Sequence, residues 1–169
     1  MMSAVALHRA VRLTARGSAV LFAAAEATPA LRPRAGRAAR RLYLGFLVTH
    51  AAHFIVVAEY AVVTQGRNLF PGGRSLDEAG GWPTVAGIYT AFATVALAGF
   101  PPRPGSSRPR LAGSVARALI GTLFVGTYLG QLRQSRWYSV PAVMVGAAVI
   151  ARFPGRTNDP TVHLKWRFE

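Results

Sequence analysis

The sequence predicts an all-α fold, a polytopic membrane helix bundle of about five transmembrane helices. Three observations carry that expectation. Half of the 169 residues are apolar (51%) and only 15% are charged, against about 25% in an average soluble domain. The apolar residues gather in long runs. The charges fall between those runs and are lopsided: twenty basic residues, nineteen of them Arg, face six acidic ones, for a net charge of +14. A disordered chain needs low hydrophobicity and dense charge, so it is excluded. The absence of cysteine excludes disulfides, Cys-ligated zinc, iron–sulfur clusters and thiol nucleophiles. A large positive charge can mark a nucleic-acid binder. Arginine clusters placed between apolar runs instead match loops that meet anionic headgroups. The expected partner is therefore the lipid bilayer, with no nucleic acid.

In chain order, residues 1–12 read as an N-terminal tail. Residues 13–31 form the weakest apolar segment, with Arg16 near one end and Glu26 inside. Basic residues followed by 18–25 and Ala25-Glu26-Ala27 also resemble a signal peptide with a small-residue cleavage site; a retained helix is the preferred reading. Five arginines crowd the linker 32–41. The strongest segment, 42–63, has 22 residues and one acid, Glu59, near its far end; about 20 apolar residues cross a hydrocarbon core. A Gly-rich link, 64–82, carries the turn signals Pro71-Gly72-Gly73 and Gly80-Gly81-Trp82-Pro83. Segment 83–100 holds no charge, and 101–110 has four prolines. Segment 111–132 is broken only by Arg117. Segment 137–151 is short, bounded by Arg136 and Arg152, with Pro141 in its first turns, where proline is tolerated. A polar tail, 153–169, closes the chain. Residues 13–152 thus read as one transmembrane helical domain of five helices, or four with a re-entrant or peripheral first segment.

Loop charge sets the expected orientation. With five spans, one side collects twelve basic residues and the other seven. The richer side, with 32–41, 101–110 and the C-terminus, is expected in the cytoplasm. The chain is then a multi-pass inner-membrane protein with its N-terminus outside.

Chemistry points to Thr49-His50-Ala51-Ala52-His53. A spacing of three puts both imidazoles on one helical face, shared with Phe46, Thr49, Val57 and Tyr60. At 1.5 Å per residue, His50 and His53 lie roughly 13 and 18 Å beyond Arg41, near mid-depth of a core about 30 Å thick. An ionisable residue there is a functional candidate by default. Histidine is a frequent axial ligand of haem iron; the alternative is that both rings hydrogen-bond backbone or hydroxyl groups of facing helices. Two histidines on one helix face cannot take opposite sides of one haem. His8 and His163 fall in the tails and are poor ligands for a buried metal. Glu26 is expected to pair with an arginine or to be protonated. Thr122, Gly126 and Gly130 recur every four residues, and Gly87 with Ala91 repeats the habit, as in close helix contacts. No dinucleotide or Walker motif is present, so no flavin or nicotinamide site is expected.

The order of features resembles the ferric reductase-like transmembrane family over residues 13–152. The resemblance is carried by Thr14-Ala15-Arg16-Gly17-Ser18, Leu21-Phe22, Arg40-Arg41-Leu42-Tyr43-Leu44-Gly45, Thr49-His50-Ala51-Ala52-His53 and Gly80-Gly81-Trp82-Pro83. In that family Arg-Arg-x-x-Gly before a helix histidine marks a haem helix; here three residues stand between Arg41 and Gly45. The resemblance therefore implies haem b, with His50 the first candidate as axial ligand to the iron and His53 the second. It also implies an electron-transfer membrane subunit, fed by a quinone or an electron-donor protein partner. The family places another histidine at the start of a later helix. The matching stretch here, Arg117-Ala118-Leu119-Ile120-Gly121, has none. That departure leaves a five-coordinate haem, an unusual second ligand, or an empty pocket. The rival reading is a non-catalytic accessory subunit of a larger respiratory or photosynthetic membrane complex.

Overall fold

A computed structural model describes residues 3–32, 34–66, 75, 77–78, 80–101, 110–132 and 135–152. The expected tail 153–169, most of 101–110 and much of 64–82 lie outside the described residues. Five α-helices run as α1 (Ala4–Leu31), α2 (Gly36–Thr64), α3 (Gly81–Ala98), α4 (Arg110–Gly130) and α5 (Ser139–Arg152), with a 3₁₀ turn, Arg136–Tyr138, leading into α5. No strand occurs among the described residues. The architecture is the all-α bundle expected.

The first helix begins well before the apolar segment that predicts it. The Ser3 hydroxyl accepts the N–H of Ala6 at 3.2 Å, and such a cap satisfies one of the orphan donors of a helix start. Residues 4–12, expected as tail, are helical behind it, and Leu7 among them is fully buried. The break between α1 and α2 is short. The N–H of Arg32 bonds Thr28 O at 2.9 Å and that of Ala35 bonds Arg32 O at 2.9 Å. A connection of that length leaves two helices antiparallel and adjacent. At its far end α2 stops where Gln65 and Gly66 turn left-handed (φ 54° and 76°), with the Gly66 N–H on Ala61 O at 2.9 Å.

The core grows from helical spacing. Ala19, Phe22, Ala23 and Glu26 form one stripe of α1, while Ala116, Ile120, Phe124 and Tyr128 recur every four residues on α4. Phe22 sits at the centre, its ring 5.2 Å from Phe46, 5.6 Å from Phe124 and 6.3 Å from Tyr43. Val145 of α5 closes the cluster. Packing is closest between α1 and α2; α5 lies against α1 and α4, and α3 against α4. The third helix stays at the periphery, burying only Val85 and Ala96. It meets α2 through rings, Phe92 on His50 and Tyr89 on Phe54, each pair 4.3 Å apart.

Three helices, Gly36–Thr64, Gly81–Ala98 and Ala112–Gly130, are long and apolar enough to cross a membrane. Their outer faces expose Leu44, Ile55, Ile88, Leu97, Leu119 and Leu123. That much exposed apolar surface needs lipid, and the chain is a membrane protein. The 28-residue α1 is long enough to span but carries Arg9, Arg12, Arg16 and Glu26. The 14 residues of α5 reach about 21 Å.

The glycine stripe is not a packing face. Thr122, Gly126 and Gly130 are all exposed, and a Cβ on Gly126 or Gly130 meets nothing within 4 Å. The close approaches lie one position round the helix and elsewhere. A Cβ on Gly121 would stand 2.6 Å from Val149, and one on Gly99 would strike the Tyr43 hydroxyl and approach Arg117 at 3.1 Å. Gly87 and Ala91 are likewise exposed on α3.

Candidate functional site

The antiparallel pairing of α1 and α2 decides what the histidines meet. Their shared face on α2 lies against α1, and the ring centroids are 5.5 Å apart. Two hydroxyls four residues apart on α1 oppose them. His50 Nδ1 lies 3.1 Å from Ser18 Oγ, and His53 Nδ1 lies 2.9 Å from Thr14 Oγ1. Each hydroxyl also donates to its own helix, Ser18 to Ala15 O at 3.0 Å and Thr14 to Ala10 O at 2.8 Å. A hydroxyl has one proton. With that proton on a carbonyl, the oxygen accepts and the imidazole Nδ1–H donates. Both rings are thereby oriented through Nδ1, and His53 has a further hydrogen bond to the backbone of Val11. An anchored Nδ1–H sets the tautomer and orientation of an imidazole, as it does in metal-ligating histidines.

The two rings differ in their surroundings. His50 is only 8% exposed. One face stacks on Phe92 at 4.3 Å, Phe54 meets it edge-on at 4.4 Å, and Phe46 and Phe124 stand 5.5 and 5.6 Å away. It borders a cleft of about 190 Å³ between α2 and α3, walled by Leu47, Phe54, Phe92 and Ala96. His53 is half-buried and borders a cleft of about 420 Å³ shared with Arg12, Arg16, Tyr60, Tyr128 and Gln131. Small-molecule and cofactor sites occupy about 300–1,000 Å³. The first cleft falls below that range and the second within it. The donor arrangement is the same for both rings, and cleft size alone favours His53 over His50, the reverse of the order that the family resemblance implies.

His8, set aside in the sequence as a tail residue, lines the same cleft. The early start of α1 places its ring 5.7 Å from Tyr60. His163 lies outside the described residues. Among the described residues no group of three or more His, Asp or Glu side chains gathers to hold a bare metal ion. Tyr128 braces the cleft, its hydroxyl donating to Ala15 O at 3.1 Å.

A second polar cluster lies toward the other end of the bundle. Glu26 and Arg117, 2% and 3% exposed, form an ion pair at 3.3 Å between Oε1 and Nε. Arg117 also donates to Gly99 O at 2.7 Å and to Ser114 Oγ at 3.2 Å. The Tyr43 hydroxyl donates to Ala96 O at 2.9 Å. Glu26 thus has the arginine expected for it. Charges in apolar surroundings persist only when paired and hydrogen-bonded, and here the pairing ties α1 to α4, with α2 and α4 both gripping the end of α3. Comparison with family models, curated proteins and solved structures found no match to this chain.

Proposed function

We propose that the chain is a membrane subunit that holds a b-type haem on the Nε2 of His53 and passes electrons from a quinone or a donor protein. The observation that carries this reading is the Thr14–His53 bond, which anchors Nδ1 of a ring bordering the cleft of about 420 Å³. When bound, haem b supplies a one-electron iron couple. The chain's own residues fix the ligand: Thr14 sets the ring's tautomer and rotation, and Tyr128 fixes the adjoining wall. His50, bonded to Ser18 and packed among phenylalanines, stands beside the ligand ring. The chain resides in the cytoplasmic membrane with its N-terminus outside, following the arginine asymmetry of its loops.

The protein purified from haem-supplied cells should show a Soret band and sharp visible bands on reduction. A colourless protein overturns the reading. One observation favours a second reading in that event: both imidazoles already bond across the α1–α2 interface, so they also serve as interhelical ties of an accessory subunit.

A further inference from the structure

A groove between α1 and the start of α5 shares Arg12, Arg16 and Tyr138 with the His53 cleft but is lined by neither histidine. It measures about 520 Å³. One end is polar, formed by Arg12 and Arg16 of α1 with Ser135 and Trp137. The other end is apolar, formed by Val20, Val140 and Met144. The gradient follows the helix axes. From Arg12 to Val20 the chain advances about 12 Å at 1.5 Å per residue, and α5 runs the same way from Tyr138 to Met144. Arg16 is steadied by its guanidinium carbon lying 5.9 Å from the Tyr138 ring centroid. No acidic residue lines the groove, and among the described residues neither arginine pairs with a carboxylate. Trp137 is 77% exposed, as is usual for an indole at the headgroup level.

We infer that this groove is a binding site for an anionic phospholipid. Arg12 and Arg16 hold the headgroup phosphate, and one acyl chain lies along Val20, Val140 and Met144. Charge complementarity selects an anion, and the apolar end selects one that carries a hydrocarbon tail. The inference does not rest on haem binding.

Native mass spectrometry of the detergent-purified protein tests it, with dioleoyl phosphatidylglycerol and dioleoyl phosphatidylcholine as probes at equal concentration. An arginine near the surface is worth about a fivefold change in affinity for anionic lipid. The wild type should retain phosphatidylglycerol at least about fivefold over phosphatidylcholine. Arg12→Gln, at an exposed position, should remove most of that preference, and Arg41→Gln, exposed at the opposite end of the bundle, should leave it intact. Val20→Trp, which fills the apolar end without touching the arginines, should weaken retention of both lipids. Equal retention of the two lipids by the wild type overturns the inference. So does loss of the preference in Arg41→Gln to the same extent as in Arg12→Gln. Displacement of phosphatidylglycerol by millimolar inorganic phosphate also overturns it, because the site would then take a free phosphate.

Discussion

Two small hydroxyls decide what the two histidines do. Ser18 and Thr14 spend their protons on α1 carbonyls and accept from the imidazoles, yet their loss should read out differently. Ser18→Ala leaves the buried His50 N–H without an acceptor, which costs about 1–3 kcal/mol; thermal unfolding in detergent should show it with or without haem. Thr14→Val frees the His53 ring instead. Removing a group that orients a metal ligand typically costs 10–100-fold in affinity, so haem titration of Thr14→Val should show at least about a tenfold loss while the circular dichroism of the helices is unchanged. The histidine pair and its helical face were legible in the sequence, because spacing alone fixes a face. The hydroxyl partners were not, since they depend on the register between α1 and α2. Thr14 and Ser18, four apart across a short turn from histidines three apart, were the available signal. His8 was missed because a cap at Ser3 extends α1 beyond its apolar stretch.

Helix identity was readable and helix rotation was not. All five apolar segments became helices, within a few residues at most ends. A repeat of small residues on α4 nevertheless pointed to the wrong face. Phe124 and Tyr128, which are large and aromatic, turn inward and carry Gly121 with them, leaving Thr122, Gly126 and Gly130 outside. The contact that matters is Gly121 against Val149. Gly121→Leu should destabilise by about 1–3 kcal/mol through overpacking, whereas Gly126→Leu should change stability by no more than about 0.5 kcal/mol. Thermal midpoints of the two variants in one detergent measure the difference; equal losses would contradict this rotation of α4.

Across the whole molecule, the Glu26–Arg117 pair is one of the ties between distant parts of the chain. Glu26 stood out in the sequence as an acid in an apolar run. Its partner was hidden, since Arg117 lies 91 positions away and near the start of its own segment. Arg117→Met removes the cation paired with Glu26 and the donor to Gly99 O, so the unfolding free energy should fall by about 3–5 kcal/mol. Adding Glu26→Leu to that variant should recover part of the loss, because an apolar pair needs no compensation. Chemical denaturation of the single and double variants decides; a double variant worse than the single would show the ion pair is not the link. Loop charge makes a separate claim on the whole chain. A reporter fused at Gly73 should be active outside and one at Gly105 active in the cytoplasm, and the opposite pattern would invert the proposed orientation.

His53, in the roomier cleft, is the proposed haem ligand, and His50 is its more buried neighbour. Haem content per chain, measured by reduced-minus-oxidised spectra of wild type, His50→Ala and His53→Ala purified alike, tests it most directly. His53→Ala should lose most of the haem, because axial ligation needs the imidazole nitrogen, while His50→Ala should keep it with shifted bands. Haem lost from His50→Ala and kept by His53→Ala would contradict the claim.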